Sequence, residues 1–209
     1  MSHEANAAVS SSAALPSPAT STKIASRQNR TRERILAEST RLFLTRGFDN
    51  VSVDAIVSAA EVARSSFYRF FANREEVLGS IMRPVFETGI GMMAEVGQRP
   101  PQALMDGICD VYLRLWSASP DTLRLVTRTG GAYFRLFEDL HRRFREQLVD
   151  AMQRVETAGL LLNDNGYNSA RIIARVAVPL LEVYRDDPRI DILFHQAMNG
   201  LLIKPGAKP

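Results

Sequence analysis

Cysteine is almost absent from the 209 residues of this sequence, which contain only Cys109. A single cysteine excludes an intramolecular disulfide and a cysteine-rich zinc site. Long apolar runs are missing too, since no stretch reaches the roughly 18 residues that a membrane-spanning helix needs. These absences predict a cytoplasmic protein with no membrane partner and a core held together by packing alone.

The residue patterns of common enzyme sites are also missing. His3, His141 and His195 lie far apart, and none belongs to a His/Glu pair with metal-ligand spacing. The chain has neither a Walker loop nor a dinucleotide-binding glycine motif, and residues 89–91 (GIG) are too short to cradle a phosphate. We therefore expect neither an enzyme nor a bound cofactor or metal.

The beginning of the chain has few large apolar residues. Residues 1–28 are rich in Ala, Ser, Thr and Pro, and they lack the basic cluster and apolar block of a secretory signal. Burial of so little apolar surface cannot offset the chain entropy that is lost on folding. The sequence therefore predicts a disordered tail over residues 1–28.

The formal net charge is only +3, but the positive charge is unevenly distributed. Residues 23–83 contain 11 basic and 7 acidic residues, whereas residues 84–209 contain 15 of each. Such a segment indicates a polyanionic partner, and a chance excess on a solvated surface explains it equally well. Four early basic residues form either an arm for a DNA minor groove or part of a solvated tail: Lys23, Arg27, Arg30 and Arg32.

What the sequence does have is helical periodicity, with no sustained two-residue alternation. Residues 31–46 place apolar side chains on one helical face, and Gly47 follows as a helix stop. Ser52 can cap a second, short helix, and a third begins near Arg64. The predicted fold class is all-α.

A fourth helix should begin after Asn73, because Asn73 and Glu76 have the spacing of a capping box. Pro84 should kink or divide this helix. The domain boundary is expected between residues 75 and 100, with the fourth helix as the connector. Further helices are predicted at residues 101–117, 120–128, 131–157, 167–185 and 188–203.

The third helix has two unlike sides. Phe67 and Phe71 are four residues apart and share a face, whereas Arg64 and Tyr68 share another. A short helix anchored by aromatic residues, with arginine, serine and tyrosine outward, suits insertion into a DNA major groove. Helical hairpins in enzymes share the same apolar periodicity, so the spacing alone leaves both interpretations open.

A wider pattern resembles the TetR family of transcriptional regulators over about 50 residues, 30–80. The chain has that family's order of hydrophobic helix, glycine stop, short helix, turn, short aromatic helix and capped fourth helix. The residues that carry the resemblance are Ile35-Leu36, Leu42-Phe43, Gly47-Phe48, Ser52-Val53, Ile56, Ala60, Val62, Phe67-Tyr68, Phe71, Asn73-Arg74-Glu75 and Val77-Leu78.

The resemblance implies a three-helix helix-turn-helix DNA-binding domain at residues 29–78. It implies a helical ligand-binding and dimerisation domain at residues 79–205, which carries no specific motif. The implied protein is a homodimer that binds a near-palindromic operator in double-stranded DNA, usually to repress transcription. A small-molecule effector in the second domain changes the separation of the two DNA-reading parts.

The same resemblance implies roles for individual residues. Arg64 occupies an outward variable position and is the candidate for reading a base, because arginine binds guanine through two hydrogen bonds. Tyr68 matches a tyrosine that faces phosphate. Arg74 matches a basic residue at the start of the fourth helix, where a phosphate also meets free backbone N–H groups. Four positions complete the predicted DNA contacts: Ser52 at a phosphate, the small pair Ser65 and Ser66, and the variable Arg69.

The turn before the third helix departs from the family's usual Ala-Gly-Val-Ser, because residues 60–63 read AEVA. Glu61 replaces a glycine that favours a positive φ, which strains a residue with a side chain. Ala63 lacks the hydroxyl of a helix cap, a loss of about 1 kcal/mol. Phe70 is expected to pack beneath the fourth helix in preference to DNA. The altered turn keeps an alternative open, a helical ligand-binding or adaptor protein with weakened or lost DNA binding.

In the second domain, aromatic residues with a few polar groups suggest a pocket for a mainly apolar small molecule. The candidates are Met105, Cys109, Tyr112, Trp116, Phe134, Phe137 and His141, and each could equally belong to the bundle core. Arginines 128, 135, 142, 143 and 145 are expected on solvated faces. Dimerisation is expected through the last two long helices, at Ile173, Val176, Leu180, Leu193, Ala197 and Leu201.

Overall fold

The computed structural model describes residues 18–129 and 131–206. The secondary-structure elements in that part of the chain are all helices. The all-α prediction is therefore confirmed. The α-helices are α1 (Pro18–Arg46), α2 (Val53–Ala59), α3 (Arg64–Phe70), α4 (Arg74–Val96), α5 (Leu104–Ala118), α6 (Pro120–Thr129), α7 (Glu138–Thr157), α8 (Gly166–Tyr184) and α9 (Ile190–Leu202). Short 3-10 segments cover Phe48–Asn50, Pro101–Ala103 and Gly131–Phe137. None of the described helices is both long and apolar enough to cross a membrane.

The predicted helix ends are confirmed by their backbone geometry and capping bonds. Gly47 follows α1 with a φ of 78°, a value that glycine adopts without strain. The Ser52 hydroxyl accepts a hydrogen bond from the Ala55 amide at 3.1 Å, which caps α2. The Asn73 side chain accepts from the Glu76 amide at 2.8 Å and so caps α4. Local sequence therefore determines where the short helices of the N-terminal region start and stop.

Pro84 lies inside α4 without dividing it, and buried residues on either side of the proline, such as Met82 and Val85, pack into the protein core. The kink that was predicted as the other outcome stays a prediction. One prediction about the helices is wrong. The predicted helix 131–157 is a 3-10 segment followed by α7, which begins at Glu138. Glu138 and Asp139 stabilise this later start because carboxylates are favourable in the first turn of a helix.

The predicted disordered tail is only partly covered by the described residues. Residues 1–17 lie outside them, and α1 already begins at Pro18. Proline is common at the first position of a helix, and the Ala, Lys, Arg and Gln residues that follow favour helical backbone. The stretch 18–28 is therefore helical and continuous with the helix that was predicted to begin near Thr31.

Two hydrophobic cores are joined along α4. The first core lies among α1, α2, α3 and the first half of α4, and we call this unit the head. The second core lies among α5, α7, α8 and α9. Phe86 and Ile90 of α4 belong to the first core, whereas Met93 and Val96 belong to the second. One helix thus contributes side chains to both cores, so a displacement of α4 affects both.

The first core extends beyond the predicted three-helix unit. It includes Leu125 of α6 and Phe137 and Leu140 near the start of α7. These residues are more than 40 positions away from α3 in the sequence, and helical periodicity gives no indication of such contacts. The boundary at residue 78 stays a prediction, because part of the later sequence packs on the head.

Candidate functional site

The face of the head that was predicted to bind DNA is formed by α3 and the start of α2. Phe67 and Phe71 are buried, with ring centroids 5.9 Å apart, and they hold α3 in the first core. The opposite side of α3 is exposed at residues 64, 65, 68 and 69, and Ser66 is half-buried. Ser52 is exposed at the N-terminus of α2. Six of the seven residues predicted to contact DNA therefore lie on α3 or at the start of α2.

Arg64 is held on this face by partners from two helices. Its guanidinium forms an ion pair with Asp54 of α2 and donates to the Tyr68 hydroxyl at 3.4 Å. The guanidinium carbon lies 5.7 Å from the centroid of the Tyr68 ring. The hydrogen bond to Tyr68, followed by the charge of Asp54, raises the pKa of Arg64 further above its ordinary value. Arg64 is therefore already engaged within the head before any external partner binds.

Arg74 makes contacts within the head that the sequence did not predict. Its Nη1 donates to the carbonyl oxygens of Phe48, Asp49 and Val51 at 3.0, 3.1 and 3.0 Å. Its guanidinium also covers the Phe48 ring, 4.6 Å from the centroid. These contacts brace the segment between α1 and α2. The predicted phosphate contact stays a prediction, and the guanidinium already has partners within the head.

The turn between α2 and α3 has the strain that was predicted for it. Glu61 has a φ of 50°, in the left-handed region that favours glycine. Its carboxylate forms an ion pair with Arg34 at 3.1 Å, and both side chains are more than half exposed. Ala63 occupies the N-cap position of α3 and makes no side-chain capping bond. The departure from the family's turn therefore leaves a strained residue and an uncapped helix.

Aromatic and basic side chains flank α3. Phe70 is half-buried against the first core, and the guanidinium of Arg69 lies 4.9 Å from the centroid of its ring. The Arg32 guanidinium lies 5.5 Å from the centroid of the Phe71 ring, so this residue of α1 is close to the end of α3. Arg27 and Arg30 are exposed on α1, and the side chain of Lys23 lies outside the described residues.

A cavity of about 630 Å³ is lined by residues of α4, α5, α6, α7 and α8. Its inner wall is apolar and aromatic and includes Phe86 of α4, Tyr112 and Leu115 of α5, and Leu148 of α7. Burial raises the pKa of Tyr112, so its phenol stays neutral. The volume is in the range of about 300–1,000 Å³ that small-molecule pockets occupy.

Tyr112 and His141 are the two predicted ligand residues that line the cavity. Met105, Cys109 and Trp116 belong to the same second core as Tyr112 but are not among the residues that line the cavity. Burial raises the pKa of the Cys109 thiol to about 12, which makes the thiol unreactive. Two further candidates are also accounted for: Phe137 stacks on Phe86 in the first core, with ring centroids 5.1 Å apart, and the side chain of Phe134 lies outside the described residues.

Several lining residues were missed because they come from helices that have no motif. Phe144 of α7 and Tyr167 of α8 contribute aromatic surface, and Arg171 and Arg175 contribute charge. Arg145, which was expected on a solvated face, also lines the cavity. The spacing of Arg171 and Arg175, four residues apart on α8, was the available signal. The spacing does not indicate that α7 packs beside α8.

Helix α6 connects the cavity wall to the head. Leu123, Val126 and Thr127 of α6 line the cavity. The next residue, Arg128, donates to the carbonyl oxygen of Leu44 near the C-terminus of α1 at 3.0 Å. A cation near a helix C-terminus is favourable because the last carbonyls carry partial negative charge. Arg128 thus joins the cavity wall to α1, beside Leu125 of the same helix, which is buried in the first core.

Two further contacts support this connection. Arg124 of α6 forms hydrogen bonds to Glu182 of α8 at 2.7 and 3.0 Å, and the hydrogen bond from Arg124 lowers the pKa of Glu182. Tyr133, in the 3-10 segment before α7, donates to the Asp49 carboxylate, and its ring lies 4.5 Å from that of Phe48. The segment that Arg74 braces from one side is therefore also held by the region next to the cavity.

Apolar side chains are exposed on α8 and α9. Val183, Ile192 and Leu201 are 75, 53 and 46% exposed. Among the residues predicted for dimerisation, Ile173 is buried in the second core and is unavailable. Leu201 is exposed, and the other four are half-buried: Val176, Leu180, Leu193 and Ala197.

Known proteins resemble both parts of the chain. Residues 35–81 match the family model of bacterial regulatory proteins, tetR family. The HTH-type transcriptional regulator TcmR of Streptomyces glaucescens is 29% identical over 141 residues, which are 61% of this chain and 62% of TcmR. The chain therefore aligns with less than two thirds of that relative.

Solved structures share the fold over more of the chain. The ketosteroid transcriptional regulator KstR2 of Mycobacterium tuberculosis superposes with a TM-score of 0.67 at 17% identity, covering 83% of this chain and 95% of that one. SmeT of Stenotrophomonas maltophilia, in complex with triclosan, gives 0.60 at 19% identity, covering 86% and 95%. The matched proteins are transcriptional regulators, and residues 35–81 of this chain carry the DNA-binding region that the tetR family model of bacterial regulatory proteins describes.

Proposed function

We propose that the chain is a homodimeric transcriptional repressor that binds an operator through α3 and is released by a small molecule in the cavity. The observation that carries the proposal is the two-sided α3, which Phe67 and Phe71 anchor while Arg64, Ser65, Tyr68 and Arg69 stay exposed. A helix of this size fits the major groove of B-DNA.

The contacts divide by chemistry. Arg64 reads a base edge, because a guanidinium matches the two acceptors of guanine. Ser52 and Tyr68 bind phosphates on either side of Arg64 through their hydroxyl groups. Arg74 acts indirectly, since its bonds to the carbonyls of residues 48–51 fix the approach of α2. Base contacts then give sequence preference and phosphate contacts give affinity.

Dimerisation is proposed through α8 and α9. The exposed apolar side chains of Val183, Ile192 and Leu201 lie on these helices, and a second copy would cover them. A two-fold dimer uses the same surface on both subunits, so it presents two equivalent α3 helices. Two such helices bind half-sites about one helical turn apart, which explains a near-palindromic operator.

Release is proposed to pass through α6. A ligand in the cavity contacts Leu123, Val126 and Thr127, and Arg128 connects that wall to α1. A small shift of α6 therefore repositions the head. The complex of the similarly folded SmeT with triclosan supports a small-molecule effector.

The test is selection of bound fragments from a library of genomic DNA, with Tyr68→Phe as the paired variant. The wild type should enrich a few fragments that share a near-palindrome. Tyr68→Phe loses only a hydroxyl from an exposed ring, so it should fold normally and bind those fragments less tightly. Failure to enrich any fragment at low salt, with a folded dimer, would contradict the proposal and favour the adaptor alternative.

A further inference from the structure

We propose that the effector is an amphipathic anion, with an apolar body and one carboxylate that Arg145, Arg171 and Arg175 bind at the mouth of the cavity. This proposal rests on the proposed function, because it specifies the ligand of the same cavity. The sequence predicted a mainly apolar ligand, and this proposal adds one charged group at the mouth of the cavity.

The inner wall of the cavity specifies the apolar body. Leu115, Leu148 and Val178 are nearly inaccessible to solvent, and Phe86 and Tyr112 add aromatic surface. A ligand body placed there loses its water, so polar groups on it would go without hydrogen bonds. An alkyl chain or an aromatic ring system meets this condition.

The mouth of the cavity specifies the charge. Arg171 and Arg175 are successive members of one face of α8, Arg145 belongs to α7, and these two helices pack side by side. All three arginines are exposed, whereas the wall behind them is buried. Among the described residues that line the cavity there is no aspartate and no glutamate.

The three arginines also differ from neighbouring arginines in their partners. Arg124 is paired with Glu182, and Arg142 is paired with Asp139. For Arg145, Arg171 and Arg175, no carboxylate of residues 18–129 or 131–206 lies within 4.0 Å. Cations gathered around one opening repel each other, and a bound anion removes that repulsion.

One local contact supports an anion at this position. The Arg171 guanidinium lies 5.7 Å from the centroid of the Tyr167 ring, which directs the side chain along the mouth. A guanidinium fork matches the two oxygens of a carboxylate, so the arginines give both charge and orientation.

The experiment compares acids with neutral alcohols of the same shape in calorimetric titrations of the full chain. The probes are decanoate with 1-decanol and 1-naphthoate with 1-naphthol. At least one acid should bind about tenfold or more tightly than its alcohol, since a charge-assisted hydrogen bond gives roughly that difference. Equal affinity within each pair would overturn the proposal.

Charge variants locate the carboxylate. Arg175→Gln and Arg171→Gln should each weaken acid binding about tenfold and leave alcohol binding unchanged. Arg143→Gln is the matched control, because Arg143 is exposed on α7 and does not line the cavity. The proposed contact is contradicted if all three variants weaken acid binding equally, or if no variant weakens it.

The two proposals fail in distinguishable ways. If the alcohols bind as well as the acids and release DNA, the cavity is an effector site and the anion proposal is wrong. If none of the four probes binds, the anion proposal is also wrong. DNA binding is measured without any probe, so its loss is a separate outcome that overturns only the regulator proposal.

Discussion

The arginines of the head and those around the cavity are in opposite states. Arg64 and Arg74 already have partners inside the head, Asp54 for the first and three backbone carbonyls for the second. Arg145, Arg171 and Arg175 surround an opening, with no carboxylate of the described residues within 4.0 Å. Partnered arginines therefore shape a surface before binding, whereas arginines without a carboxylate nearby are available to an anion.

The largest expected effect in this comparison is on folding stability. Arg74→Leu should lower the free energy of unfolding by about 2 kcal/mol, because several carbonyls of the loop lose a charged donor. Arg175→Gln should change it by less than about 0.5 kcal/mol, as is usual for exposed sites. Urea titration followed by circular dichroism measures both. Equal values for the two variants would remove the distinction.

Arg64→Ala should have the next largest effect, and on DNA. Loss of a bidentate contact to guanine should weaken operator binding about tenfold and relax the preference at one base pair. Fluorescence anisotropy with the selected operator, and with that base pair changed, measures both the loss of affinity and the change in base preference. If the weakening is the same for every base, Arg64 contacts phosphate and does not read sequence.

The turn before α3 should respond in the opposite direction, by gaining stability. Glu61→Gly relieves a left-handed backbone, and Ala63→Ser restores a capping hydroxyl worth about 1 kcal/mol. The exposed ion pair between Glu61 and Arg34 contributes little, so its loss should not offset the gain. A rise in melting temperature for each variant, with Ser58→Gly as a destabilising control inside α2, is the expected result.

The coupling between the two regions should depend on Arg128. Arg128→Ala should leave operator affinity within about twofold while it reduces the effect of a bound ligand on that affinity by about 0.5–2 kcal/mol. The comparison needs operator titrations with and without ligand, and Arg135→Ala is an exposed control. An unchanged ligand effect would mean that Arg128 is not the connection.

The smallest effect is expected at Asp54. Asp54→Asn removes the carboxylate that holds Arg64 and also removes a negative charge near DNA. Operator affinity should therefore rise by a few-fold at low salt and converge with that of the wild type as salt increases. A fall in affinity would show that Asp54 is needed to orient Arg64.

Local signals predicted most of the head from the sequence. The glycine at position 47, the caps at Ser52 and Asn73, and the aromatic spacing of α3 each depend on residues within one or two turns of a helix. The strain at Glu61 was also predictable, because one residue type stands where the family has another. What could not be predicted is the bracing by Arg74, whose partners lie up to 26 positions away.

The cavity was predicted only in part, for a physical reason. Tyr112, a candidate because aromatic residues cluster on α5, lines the cavity, whereas Cys109 on the same helix does not. Periodicity shows that a helix has an apolar face without showing what covers that face. The arginines of α7 and α8 come together only through tertiary packing, so their joint role could not be read from spacing.

The most direct test of the central claim is operator affinity measured over a salt series. If the exposed face of α3 binds DNA as a dimer, log K should fall steeply with log salt, by about 0.9 for each phosphate neutralised. Tyr68→Phe should lower affinity at every salt concentration. Affinity that is absent at low salt, or that does not change with salt, in a helical and dimeric protein would contradict the claim that this chain regulates transcription through α3.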